Sequence, residues 1–176
     1  MALHQIMTEI EISATPKQVW SVLLDFPDYP LWNPFIREIS GTSMKGGSLR
    51  VTMTLPGRAA MTFRPTVLVV EEGREFRWRG CLVVPGLFDG EHYFRIEPLC
   101  TARTALTHGE DFSGLLAGTL LARRREPVRE AFVAMNRTLK ERVEKAPGPG
   151  ISSVNHLEPT RNSVQDLLLR RIEARR

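Results

Sequence analysis

Between Thr104 and Lys145 the chain changes its period once. Up to Phe112 it alternates: Thr104, Leu106, His108, Glu110 and Phe112 share one parity, which a strand turns to a single face. Ser113 and Gly114 end that pattern. Beyond them Val128, Phe132, Met135, Leu139 and Val143 recur at steps of four, three, four and four, the apolar stripe of an amphipathic helix. A strand that feeds a long helix leaves that helix with an apolar side to cover. The rest of the chain must therefore supply a sheet that wraps it. Pro127 sits inside the helical stretch, where it removes a backbone hydrogen bond, and this predicts a break near Arg124 to Glu126.

The preceding sequence reads as that sheet. Residues 5–13 alternate, with Ile6, Thr8, Ile10 and Ile12 against Met7, Glu9 and Glu11, so one face is buried. Thr15 and Pro16 suit the N-cap and first residue of a short apolar helix that runs to about Leu24. Pro27 and Pro30 stop it, one more turn fits between Asp28 and Trp32, and Asn33-Pro34 sends the chain out extended. Strands are expected at 35–40, 49–55, 60–71, 75–84, 91–97 and 103–112, with Lys45-Gly46-Gly47, Pro56-Gly57 and Glu72-Gly73 among the turns. Pro65 marks a bulge or an edge in the long strand over 60–71. Close turns favour an antiparallel meander. The expected fold class is α+β: a curved antiparallel sheet of about seven strands around a long C-terminal helix, with two short helices after the first strand. Such a sheet curling around one helix leaves an internal cavity.

Composition excludes several functions. A formal charge of +4 is too mild to point to nucleic acid. Its basic excess lies between Arg123 and Lys145, as expected of a solvated helix face. Cys81 and Cys100 form no CxxC pair, and the four histidines lack finger spacing, so neither a structural zinc nor a disulfide framework is expected. The N-terminus has no basic region followed by an apolar core, and no apolar run reaches membrane-spanning length. A cytoplasmic protein without stable membrane insertion is expected. Composition shifts at Ala146-Pro147-Gly148-Pro149-Gly150, which divides the chain into a domain over 1–146 and a linker with tail over 147–176. Val164, Leu167, Leu168 and Ile172 give the tail a short amphipathic helix with a basic end, a surface for a partner or for self-association.

The stretch ATPKQVWSVLLDFPDYPLWNPFIREISG, with FRWRG at 76–80, PGLFDGEHYFRIEPL at 85–99 and GEDFSGLL at 109–116, resembles the START-like helix-grip superfamily, also called SRPBCC. More narrowly it is similar to the polyketide cyclase/dehydrase and lipid-transport group. The resemblance covers about residues 5–145. It implies the helix-grip fold and a cavity between sheet and helix that takes a small hydrophobic ligand: a lipid, a polyketide or an aromatic metabolite. Fold alone does not supply an activity, because members of this superfamily carry as well as catalyse. The resemblance also places Trp32, Asn33 and Phe35 near the cavity mouth.

Parity then nominates the lining. A turn centred near residue 100 pairs His92 with His108, Phe94 with Leu106 and Ile96 with Thr104, all on the inward face that continues to Glu110 and Phe112. His92, His108 and Glu110 become buried polar groups in an apolar chamber and need partners: each other, water or ligand. They serve as a structural cluster, as ligand contacts, or as a weakly indicated acid–base set. Their types suit a metal, but nothing in the spacing demands one, so no metal and no cofactor is assigned. Trp32, Phe35, Phe76, Trp78, Phe94, Phe112, Phe132 and Met135 complete the expected ligand-contacting set. Arg77 and Arg79 have the opposite parity and are expected in solvent. Leu87 and Phe88 form either a gate or a loop tucked onto the body. No Walker A, GxGxxG or GxSxG sequence is present.

Three functions follow from this reading. The first is a carrier or sensor of a small hydrophobic molecule. The second is an enzyme of cyclase, dehydratase or hydrolase type that uses His92, His108 or Glu110 as acid or base. The third is an interaction module acting through the tail helix.

Overall fold

The structure is a computed structural model that describes residues 4–82, 84–122 and 124–145. The tail helix expected beyond the Pro/Gly linker lies outside the described residues. The described chain runs β1 (His4–Ile12), α1 (Pro16–Leu24), a 3-10 turn (Phe26–Asp28), α2 (Tyr29–Trp32), β2 (Ile36–Gly41), β3 (Leu49–Met53), β4 (Met61–Phe63), β5 (Thr66–Glu71), β6 (Glu75–Cys81), β7 (Asp89–Cys100), β8 (Arg103–Ser113), α3 (Ala117–Ala122) and α4 (Arg125–Lys145).

Local chemistry sets the joints. Thr15 caps α1 in a full capping box: its Oγ1 accepts from the Gln18 N–H, and Gln18 Oε1 accepts from the Thr15 N–H. Asn33 turns the chain out of α2, with its Oδ1 accepting from the N–H groups of Phe35 and Ile36 at 2.9 Å each. Gly46, at φ +80°, makes the β2–β3 turn in a conformation that L side chains rarely adopt. The helical stretch divides where Pro127 required it. α3 ends at Ala122 and α4 starts at Arg125, which puts Pro127 in the first turn, where its missing N–H has no helical partner to lose.

Two antiparallel sheets form, in orders β1-β8-β7-β6-β5 and β2-β3-β4. Among the described residues eight strands form where about seven were expected. Pro65 is the reason. Instead of bulging a single strand over 60–71, it divides the stretch into β4 and β5, which join different sheets. The sheets meet at a short seam: Val67 N–H donates to the Gly47 carbonyl at 2.8 Å, and Leu49 N–H to the Pro65 carbonyl at 2.9 Å.

β1 closes on β8, and α4 packs mainly across β1. Its buried residues are Ala131, Phe132, Met135, Asn136, Leu139 and Val143, the expected stripe with Asn136 added. The β7–β8 register differs from the expected one by two residues: His92 faces Glu110, Phe94 faces His108 and Ile96 faces Leu106. The hairpin turns at Thr101-Ala102, one residue later than expected, so every pair shifts while every side chain keeps its face. On the outer face Arg77 is not in solvent. Its guanidinium lies 4.7 Å from the Tyr93 ring and pairs with Glu75, Glu91 and Asp111 at 2.7, 3.2 and 3.7 Å, whereas Arg79 is exposed as expected.

Candidate functional site

Three cross-strand rows on the inner face of β6, β7 and β8 build the site. Register places Phe76, Phe94 and His108 in the first, Trp78, His92 and Glu110 in the second, and Gly80, Gly90 and Phe112 in the third. The first row is fully buried. The second is a wall in which Trp78 stacks on His92, with centroids 4.6 Å apart and planes 12° from parallel. The third omits two side chains, because Gly80 and Gly90 pair directly. That omission opens the wall.

A cavity of about 400 Å³ lies over those glycines. Its lining includes Phe35, Met53, Leu55, Phe63, Trp78, Phe88, Phe112, Leu121 and Val128, with Arg58 and Arg124 the basic members. Glu110 is the acidic residue among them, with 16% of its side chain accessible. Its carboxyl rests over Gly90, and a Cβ at that position would collide with Glu110 Oε1. Phe88 is tucked onto the body, 5.5 Å from Phe112.

Behind the wall runs a chain of polar contacts. Thr8 Oγ1 donates to the His108 carbonyl at 3.2 Å. Asn136 Nδ2 donates to Thr8 Oγ1 at 3.0 Å, and Asn136 Oδ1 lies 2.9 Å from His108 Nδ1. His108 Nε2 lies 2.9 Å from His92 Nε2. His92 Nδ1 stands 3.5 Å from Glu110 Oε2, and among the described residues that buried nitrogen has no hydrogen-bond partner.

The surroundings disfavour the charged form of all three titratable groups. Burial takes His92 down to about 3. Burial, then the neighbouring His92, takes His108 well below its usual range, against hydrogen bonds to Asn136 and the Phe132 carbonyl. Burial, then the Asp111 charge, pushes Glu110 up to about 8. A cavity wall that carries an uncharged carboxyl backed by uncharged imidazole can exchange hydrogen bonds with a ligand, or a proton with a substrate. Among the described residues no group of three or more His, Cys, Asp or Glu side chains is placed to hold a metal.

Of the residues expected to touch ligand, Phe35, Trp78, Glu110 and Phe112 line the cavity. Phe76, Phe94, Phe132 and Met135 do not; they are fully buried core beneath it, because the glycine row lies two rows further along the strands from Phe76 and Phe94. His92 belongs to the wall but does not reach the cavity, and His108 sits in the buried row behind it. Trp32 is also a correction. It lines a separate cleft, with Ser21, Val22, Thr138 and Arg142, at the other end of α4. Sequence reading passed over Gly80, Gly90, Thr8 and Asn136. Parity held a signal for three of them, since Thr8 shares its face with Ile6, and both glycines share theirs with Trp78 or His92. Asn136 sits four residues after Phe132, on the same side of the helix.

Residues 4–145 match the family described as polyketide cyclase/dehydrase and lipid transport. The chain belongs to that family. No curated protein matches it. Solved structures of the same fold include a START superfamily protein from Mycobacterium smegmatis, with 23% identity, a TM-score of 0.65 and coverage of 82% of this chain and 99% of that one. The Zhui aromatase/cyclase from Streptomyces sp. R1128 is 19% identical, with a TM-score of 0.63 over 81% of this chain and 94% of that one. Norcoclaurine synthase from Thalictrum flavum, solved in complex with dopamine and hydroxybenzaldehyde, is 12% identical, with a TM-score of 0.63 over 84% of this chain and 90% of that one. The polyketide cyclase family member described here thus has the helix-grip fold of those structures. No described helix is long and apolar enough to cross a membrane.

Proposed function

We propose that this family member binds a small, largely apolar molecule in the cavity between the β6–β8 wall and the β3–β4 strands, as a carrier or sensor. One observation carries the reading: a mostly apolar cavity of about 400 Å³ whose described lining holds one carboxyl, Glu110, with Arg58 and Arg124. That volume lies in the range of small-molecule sites, which are mostly apolar with few placed polar groups. Burying a ligand's apolar surface contributes roughly 25 cal/mol per Å². The aromatic residues Phe35, Trp78, Phe88 and Phe112 suit a flat body. Norcoclaurine synthase, which shares the fold, was solved with two small aromatic molecules.

Native mass spectrometry of protein from its own cells, with denaturing extraction, tests the reading. The expected result is a co-purifying apolar molecule, or a thermal shift with members of an aromatic and lipid panel. Gly80→Val, which fills the cavity from its floor, should abolish both without unfolding the chain. Absence of any bound species and of any shift would remove the proposal.

An acid–base enzyme is the second reading, and the neutral Glu110 beside His92 favours it. Glu110→Gln separates the two. A carrier keeps its full function with the amide, whereas an enzyme keeps binding and loses turnover by two or more orders of magnitude, of the order of ~10²–10⁴.

A further inference from the structure

Two arginines reach the cavity from different elements. Arg58 belongs to the turn between β3 and β4, where its backbone N–H donates to the Leu55 carbonyl at 3.1 Å. Arg124 stands at the joint between α3 and α4, where its backbone N–H donates to the Leu121 carbonyl at 3.0 Å. Leu55 and Leu121 are themselves buried in the cavity lining, so each arginine is anchored one short turn from the apolar wall. Their side chains are not spent elsewhere. Among the described residues neither guanidinium makes an ion pair or a side-chain hydrogen bond, in contrast to those of Arg77, Arg79 and Arg142.

The rest of the lining does not neutralise them. Glu110 is the one acid among the described lining residues, its carboxyl rests over Gly90, and burial with the Asp111 charge disfavours its ionised form. Two permanent positive charges beside apolar walls focus a field that draws an anion. A guanidinium donates two parallel N–H groups to a carboxylate, a geometry that gives both strength and direction. Arg58 is exposed and Arg124 half-buried, so the charge lies at the outer end of the cavity and the apolar volume lies inside it.

We infer that the ligand is an amphipathic acid: an apolar body lies against Trp78, Phe88 and Phe112, and a carboxylate at its outer end is bound by Arg58 and Arg124. The inference rests on the reading of this cavity as a small-molecule site and narrows that reading from any apolar molecule to an anionic one. It assigns selection by charge to the β3–β4 turn and the α3–α4 joint.

Calorimetric titration of the full chain with two matched pairs tests it: naphthoate against naphthamide, and octanoate against octanamide. Each amide has the size of its acid without the charge. At about pH 6.5 both acids are ionised and Glu110 keeps its proton. The expected result is about tenfold tighter binding of at least one acid than of its amide, a ratio that shrinks as salt is raised. Arg58→Met and Arg124→Met keep the apolar stems of the side chains and remove their charges. Each should lower the ratio, and the double variant should bring it to about one with the affinity for the amide unchanged. Equal binding of acid and amide by the unaltered chain, or an acid preference that survives in the double variant, overturns the inference and leaves the cavity reading standing. A thermal shift given by uncharged members of the wider panel alone does the same. Binding of none of the four, together with no shift across that panel, removes both.

Discussion

At the scale of single residues, Glu110 and His92 respond to pH in opposite directions. Glu110 has its folded pKa raised to about 8 by burial and by Asp111, so the stability held with its proton is complete near pH 4.5 and lost as pH rises through 8. His92 and His108 are lowered, so their stability is complete above 6.5 and lost as pH falls towards the folded value, about 3 for His92. Glu110→Gln removes only the alkaline loss. Its melting temperature relative to the unaltered chain should therefore climb steadily from pH 5 to pH 8, at ~1.4 kcal/mol for each tenfold in proton affinity. A gap independent of pH, read by differential scanning fluorimetry, would contradict a raised Glu110. Parity alone put His92, His108 and Glu110 on one face, because strand periodicity is insensitive to an even register error. Their order was not legible. The turn position decides whether His92 meets His108 or Glu110 across the strands, and turns obey weaker local rules than strands. Asn136 was hidden for another reason: a polar residue beside a helical stripe looks solvated until its partner strand is placed.

At the scale of elements, the decisive feature is the glycine pair across β6 and β7. Alanine at either position separates space from placement. At Gly80 a Cβ meets Pro65 Cβ at 3.6 Å, an ordinary contact, so Gly80→Ala should fold normally and only shrink the cavity. At Gly90 a Cβ collides with the end of the flexible Glu110 side chain, which can swing away. Gly90→Ala should therefore melt within a few degrees of the unaltered chain and yet lose the alkaline slope that Glu110 imposes. An unchanged pH slope in Gly90→Ala would show that the carboxyl does not depend on this floor. Strand and helix boundaries were legible at Thr15, Asn33 and Pro127, where one residue type dictates the backbone. The division at Pro65 was only half legible. Proline announces a fault in a strand, but whether the fault becomes a bulge or the end of a sheet depends on which neighbours offer free carbonyls.

For the whole molecule, periodicity named the architecture, since a long amphipathic helix after a meander leaves few ways to hide its stripe. It did not locate the cavity, which depends on side chains being absent rather than present. Stability should be unequal around that cavity. β7 and β8 are long and paired on both sides, whereas β4 is three residues, lies at a sheet edge and is largely exposed. Hydrogen exchange followed by mass spectrometry should find the amides of β7 and β8 slowest and those of β4 and residues 84–88 among the fastest. Uniform protection would count against the arrangement. The seam at Pro65 then has a consequence for how such a cavity changes over time. The wall that carries Glu110 is tied into the best-paired sheet and, through the bonds of Thr8 and Asn136 to His108, into β1 and α4. The opposite wall belongs to a small sheet joined at one corner. Under the proposed function, substitutions at residues 53–63 should alter which molecules fit while leaving the Glu110 side undisturbed, so a laboratory selection would have separate controls for contour and for polarity.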